Sequence, residues 1–199
     1  MHSSMDVMAS IPTKQRLLEL GLPLLLKHGY SDLGVATLLE RAGVPKGSFY
    51  HHFANKEDFG LQAIDFYMQG VHGAIEAAFG DNSRDPLDQI RHFFDMVAGG
   101  YEGDGYLGCL LGGLGQELSG ISPAFRTKVE QCFNVIARNF AAALERAQAR
   151  GELREGVDPR ELADLLVNCW EGAALRSRLR RSSTPLGQML DFYFVAVRA

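Results

Sequence analysis

Residues 33–59, LGVATLLERAGVPKGSFYHHFANKEDF, constrain the chain more than any other stretch. Val35, Leu38, Leu39 and Ala42 recur at helical spacing, which predicts a helix with one buried face. Gly43 and Val44 make the turn after it, and glycine is free to take the positive φ that closes a helix. Pro45 suits the first position of the next helix, where a missing N–H costs nothing. In that second helix Phe49 and Phe53 stand four residues apart and share the inward face. Lys46, Gly47, Ser48, Tyr50 and His51 are left outward, with His52 at their flank. Two aromatic anchors behind and hydrogen-bond donors in front describe a helix that a DNA major groove admits. The stretch reads as a helix-turn-helix.

The net charge of −4 speaks against a nucleic-acid binder if the chain is taken whole. Its two ends differ. Residues 1–56 hold six Lys and Arg against four Asp and Glu, with four of the six histidines; residues 57–199 hold fourteen against twenty. A mildly basic end on an acidic body suits contact with DNA at one end only. The expected division is a DNA-binding domain over 1–56 and a second domain over 57–199. At 199 residues and 46% hydrophobic, the chain can bury a sizeable core. Cys109, Cys132 and Cys169 are odd in number and far apart, so a reducing cytoplasm is expected, with no disulfide frame and no metal set. No apolar run approaches the roughly 18 residues of a membrane span, and no leader pattern begins the chain. No membrane partner and no cofactor are expected.

Along the chain, residues 1–10 read as a passive arm. A helix is expected over Thr13–His28, with Leu17, Leu18, Leu20, Leu24 and Leu25 on its apolar face and Gly29 as its stop. Pro23 in its interior predicts a kink or a restart near Leu22, at a cost of about 3 kcal/mol. Asn55 caps a long helix to about Phe79, with Glu57 and Asp58 in its first turn. Amphipathic helices follow over 86–101, 125–150, 158–178 and 184–197. With no strand alternation and no internal repeat, the fold class is all-α.

Two places carry chemistry. Lys46 suits guanine O6 and N7, Gly47 allows close backbone approach, Ser48 is a short donor, and Tyr50 fits a thymine methyl or a phosphate. The other place is GDGYLGCLLGGLGQELSG, residues 103–120. Glycines in a helical stretch cost about 1 kcal/mol each relative to alanine. Close packing, or a ligand lying on bare backbone, must offset that. Cys109 falls in the first turns of this helix, where the N-terminus would lower a thiol pKa. A buried structural cysteine is the alternative.

VPKGSFYHHFANKEDF resembles the recognition-helix signature of the tetracycline-repressor (TetR) family, over about 45 residues at the N-terminal end. The resemblance implies backbone contacts from the positions of Tyr50, His51 and Lys56. Leu33 and Gly34 stand where relatives often carry Ser or Thr, and Thr37 is the residue that would replace that hydroxyl. YLGCLLGGLGQELS further resembles the branch that controls reductases for electrophiles, which includes the repressor of N-ethylmaleimide reductase and acrylate-responsive regulators. That implies Cys109 as a sensor, with Arg178 where some relatives place a lysine near the thiol. It also implies a pocket walled by Phe66, Tyr67, His92, Phe94, Tyr106, Phe133 and Trp170, with Glu171 in need of a partner if buried. Cys132 and Cys169 are expected to pack.

The last two helices carry apolar faces (Leu162, Leu165, Leu166, Ala173, Leu186, Leu190, Phe194) larger than one body is expected to cover. They resemble the pair that forms a four-helix dimer interface. The run Arg176, Arg178, Arg180 and Arg181 reads as a solvated helix end. The expected molecule is a homodimeric regulator, a repressor, that binds a palindromic DNA operator and responds to a small-molecule effector. Two rivals remain: a TetR-type regulator with a reversible ligand and a structural Cys109, and a thiol enzyme with Cys109 as nucleophile and His92 as base.

Overall fold

A computed structural model describes residues 12–103, 105 and 108–199, and every regular element among them is helical. The N-terminal arm and Tyr106 therefore lie outside the described residues. In chain order the helices are α1 Thr13–His28, α2 Val35–Ala42, α3 Gly47–His52, α4 Lys56–Phe79, α5 Pro86–Gly103, α6 Leu110–Leu118, α7 Pro123–Ala149, α8 Pro159–Arg180 and α9 Thr184–Val197. An isolated antiparallel bridge, Leu153 with Arg198, ties the α7–α8 loop to the C-terminal end.

Local sequence explains most boundaries. Gly43 closes α2 in the left-handed region at φ 63°, and its N–H and that of Val44 bond back to Glu40 and Leu39. Side chains cap α4 (Asn55 accepts from Asp58 N–H), α7 (Ser122 from Phe125) and α8 (Asp158 from Arg160). The start of α2 has no side-chain cap, since Gly34 stands there. Helix α3 begins at Gly47, after Lys46, so Pro45 shapes the approach and is not the first helical residue. The expected restart in α1 does not occur. Pro23 is exposed within one helix, with Leu17, Leu18, Leu24 and Leu25 buried on either side of it. Gly21 lies so close to Phe59 that a Cβ would stand 2.4 Å from the ring. This tertiary packing holds together what proline weakens.

Two apolar cores result. One joins α1–α3 to the first half of α4, to α6 and to the start of α7. The other joins α5, α8 and α9 to the far halves of α4 and α7. Apolar packing of the N-terminal unit thus continues past residue 56. Val71, Cys109, Phe133 and Ile136 pack against both cores.

The residues expected at the dimer interface lie mostly inside their own chain. Leu166, Ala173, Leu186, Leu190 and Phe194 are buried within the chain's own core, and Leu162 is partly buried against it. Atoms already covered by their own chain are not free to meet a second. The face left open carries Leu165, Leu175 and Leu179 on α8 with Phe192 and Val195 on α9.

Candidate nucleic-acid interface and effector site

Phe49, Phe53 and Phe59 bury completely, with ring centroids 5.1–5.7 Å apart, and fix α3 against α4. The opposite face of α3 is open. Lys46, Gly47 and His51 are exposed, Tyr50 is 68% exposed, and Ser48 and His52 are half-buried. A Cβ on Gly47 would meet nothing within 4 Å. The His51 and His52 rings stand 5.0 Å apart, edge to face. Thr37 is exposed on α2. Lys56 differs from these: its Nζ donates to Ser31 O at 3.1 Å and lies 4.6 Å from the Tyr30 ring centroid. Its cation braces the turn between α1 and α2.

That turn is held from below as well. Glu117, near the end of α6, accepts the N–H groups of Tyr30 (2.8 Å) and Ser31 (2.6 Å). Gly29 is required there: its φ is 80°, and a Cβ would stand 2.8 Å from Glu117 Oε2. Partial burial alone would raise the Glu117 carboxyl, but hydrogen bonds from Ser31 and Tyr30 and the charge of Lys56 hold it below the usual carboxylate value. Sequence reading missed this clamp. The positive-φ glycine is visible in the chain, but its carboxylate partner lies 87 residues away from Tyr30.

At the other end of α6, Cys109 is the N-cap residue. It borders a cavity of about 60 Å³ walled by Tyr67, Phe94, Phe133 and Trp170, and by Phe93, Tyr101, Phe140 and Glu171. Phe66 packs against the N-terminal core, and neither it nor His92 lines this cavity. Helical register is the reason for Phe66, since its neighbour Tyr67 takes the inward face. The Tyr67 hydroxyl lies 3.9 Å from Cys109 Sγ. Trp170 packs against Phe94 at 4.4 Å between centroids, the rings tilted by 43°. Cys109 also borders a second hollow of about 50 Å³, with Gly108, Gly112, Gln116, Glu171 and Arg178.

The glycines of α6 are explained in part. A Cβ on Gly112 would stand 2.0 Å from Glu171 Oε2, and one on Gly115 would touch Val129 at 3.4 Å. Gly112 is bare because a carboxylate occupies the space beside it. The electrostatics run against the expected activation of the thiol. Burial and the Glu171 charge push the Cys109 thiol well up, outweighing the backbone N–H groups of Gly112 and Leu111 that favour its thiolate. Burial also raises the Glu171 carboxyl. Cys132 is buried in the N-terminal core, where desolvation raises its thiol. Among the described residues no group of three His, Cys, Asp or Glu is placed to hold a metal ion, and no helix is long and apolar enough to cross a membrane.

An exposed recognition helix on an aromatic anchor, joined to an all-helical body with an aromatic cavity, defines a one-domain reader of DNA coupled to an effector domain. Residues 17–62 match the bacterial regulatory proteins of the tetR family, and residues 86–193 match the tetracyclin repressor-like C-terminal domain. The chain belongs to the TetR family of DNA-binding transcriptional regulators, which bind operator DNA as dimers and respond to small-molecule effectors. It is similar to the transcriptional regulator AcuR of Cereibacter sphaeroides, with 41% identity over 86% of this chain and 79% of that protein. It is also similar to the transcriptional repressor DhaR of Mycobacterium sp. strain GP1, with 34% identity over 96% and 94%. The reduced form of NemR from Escherichia coli superposes with a TM-score of 0.82, at 28% identity over 94% of this chain and 97% of that one.

Proposed function

We propose that the protein is a cytoplasmic repressor that leaves its operator when a small electrophile or oxidant acts at Cys109. One observation carries this reading: α6 has Cys109 at one end, beside an aromatic cavity, and Glu117 at the other, bound to the turn that precedes α2. A change at the thiol displaces α6, and α6 displaces the turn. Helix α4 shares the load, because Glu57 accepts from Ser122 Oγ at 2.6 Å and Asp65 pairs with Lys128 of α7. In this reading Lys46, Gly47, Ser48 and Tyr50 meet the major groove, while Thr37, His51, His52 and Lys56 meet or support contacts to the backbone. Two such helices address half-sites about 34–36 Å apart. The relatives DhaR and NemR, both transcriptional repressors, and the reduced form of NemR support the reading.

A second reading keeps the regulator but gives the cavity to a reversible ligand. The raised thiol pKa favours it, since a protonated, buried thiol is a poor nucleophile by itself. Operator binding with and without N-ethylmaleimide, for wild type and Cys109→Ser, separates the two. Release of wild type alone supports the sensor. Equal retention of DNA by both proteins assigns Cys109 to packing and turns attention to a reversible ligand.

A further inference from the structure

Gly113 is a glycine of α6 that packing does not account for. Glu171 fills the space beside Gly112, and Val129 the space beside Gly115, but a Cβ on Gly113 would meet nothing within 4 Å. Glycine inside a helix is unfavourable relative to alanine unless something uses its bare backbone. Gly113 is exposed, and the space beside it belongs to a groove of about 370 Å³ between α6 and the last turns of α1. Leu25 and Leu26 of α1, with Leu110 and Leu114 of α6, give that groove an apolar floor. Its rim is cationic: Lys27 and His28 come from α1 and Arg178 from the end of α8, all of them exposed. The Arg178 stem runs beside Gly108, its Cδ 3.8 Å from where a Cβ would stand. Among the described residues, none of these three side chains pairs with a carboxylate. The acid that lines the groove, Glu117, is already engaged by the N–H groups of Tyr30 and Ser31. Apolar floor, bare backbone and unpaired cations together suit a ligand with an apolar body and an anionic head.

We propose that this groove is a second ligand site, for a small amphipathic carboxylate, and that its occupant ties the DNA-reading unit to the body of the protein. The apolar chain lies on the leucines and against the Gly113 backbone, and the carboxylate accepts from Lys27 and Arg178, with His28 beside them. One ligand then touches α1, α6 and α8 together, next to the turn that Glu117 holds. A ligand that spans this joint is neutral to DNA binding only if the joint has one geometry with and without operator. The site is independent of thiol chemistry, because Cys109 borders the groove but the charges that hold the head group belong to other residues.

Octanoate is the probe, with octanamide as its neutral twin and acetate as its head group alone. Calorimetric titration of the full-length protein is expected to show saturable binding of octanoate, and binding of octanamide and acetate weaker by about tenfold or more. Saturating octanoate raises the Tm by about 3 °C or more. Lys27→Gln with Arg178→Gln removes two exposed charges and weakens octanoate about tenfold or more. Gly113→Leu fills the groove while favouring the helix, so it abolishes octanoate binding in a protein that stays folded. Cys109→Ser retains octanoate binding whatever it does to the response to N-ethylmaleimide, so this site and the sensor stand or fall separately. Operator affinity with and without saturating octanoate differs about threefold or more in wild type and is equal in Gly113→Leu. Octanamide or acetate bound as tightly as octanoate, or octanoate bound equally by wild type and Gly113→Leu, overturns the site. Unchanged operator affinity in octanoate-saturated wild type overturns its role at the joint.

Discussion

Glu117 accepts two backbone N–H groups of a turn that belongs to the DNA-binding unit, and its charge makes each bond stronger than a neutral one. Its carboxyl is held below the ordinary value of 4.5. A group depressed in the folded state contributes stability that is complete above its unfolded pKa and is lost as pH falls through the folded one. The clamp is therefore whole at neutral pH and fails only in acid, below 4.5. Glu117→Gln is expected to cost about 1–2 kcal/mol at pH 7, since the bonds are partly exposed. The difference in Tm between mutant and wild type shrinks as the pH is lowered past that range. Gly29→Ala tests the same contact from the other side, because φ near 80° with ψ near 180° suits glycine alone and costs another residue about 1–3 kcal/mol. At this scale the sequence was informative wherever a residue acts on its neighbours. Phe49, Phe53, Gly43, Asn55 and Asp158 all announce their roles by local spacing. Glu117 with Tyr30, and Glu171 with Gly112, do not, because each pair is joined only by tertiary packing.

Helix α1 shows what one element can hide. Pro23 removes an intrahelical bond and weakens the helix in any isolated accounting, yet α1 is a single helix pinned by Gly21 against Phe59 and by four buried leucines. Because Pro23 is exposed and fills no gap, Pro23→Ala restores a donor to the Glu19 carbonyl without changing the core. Thermal unfolding followed by circular dichroism is expected to show a gain of about 1–3 kcal/mol. A loss would mean that the proline-shaped backbone is itself needed for the contact with α4. The periodicity of the other helices was legible, and their ends fell within a few residues. Which apolar residues faced which neighbour was not. In α8, Leu165 and Leu166 are adjacent, and helical geometry sends one inward and the other outward. Composition alone cannot choose between them; the position of α7 and α9 does.

For the molecule as a whole, that choice sets which side chains α8 and α9 leave exposed. Leu165, Leu175 and Leu179 recur along one face of α8, with Gly172 exposed among them and nothing within 4 Å of where its Cβ would stand, so a second helix can approach closely. Phe192, 76% exposed, and Val195 continue the apolar surface onto α9. We propose this face as the dimer interface, paired with its own copy across a two-fold axis. Full burial of an exposed side chain of this size contributes about 1.5–3 kcal/mol, less for Leu165 and Leu175, which are already about half covered, and association offsets part of the sum. The paired substitution Leu179→Asp with Phe192→Asp is expected to halve the mass in light scattering to the 21.9 kDa of one chain. Helix content is expected to stay unchanged, since neither side chain supports its own chain's core. Operator affinity falls by about 10²–10⁴, because one reading head loses the effective concentration that its tethered twin supplies. A dimer that persists in the double mutant would place the interface elsewhere. A monomer that still holds the operator at wild-type affinity would detach DNA reading from dimerisation altogether.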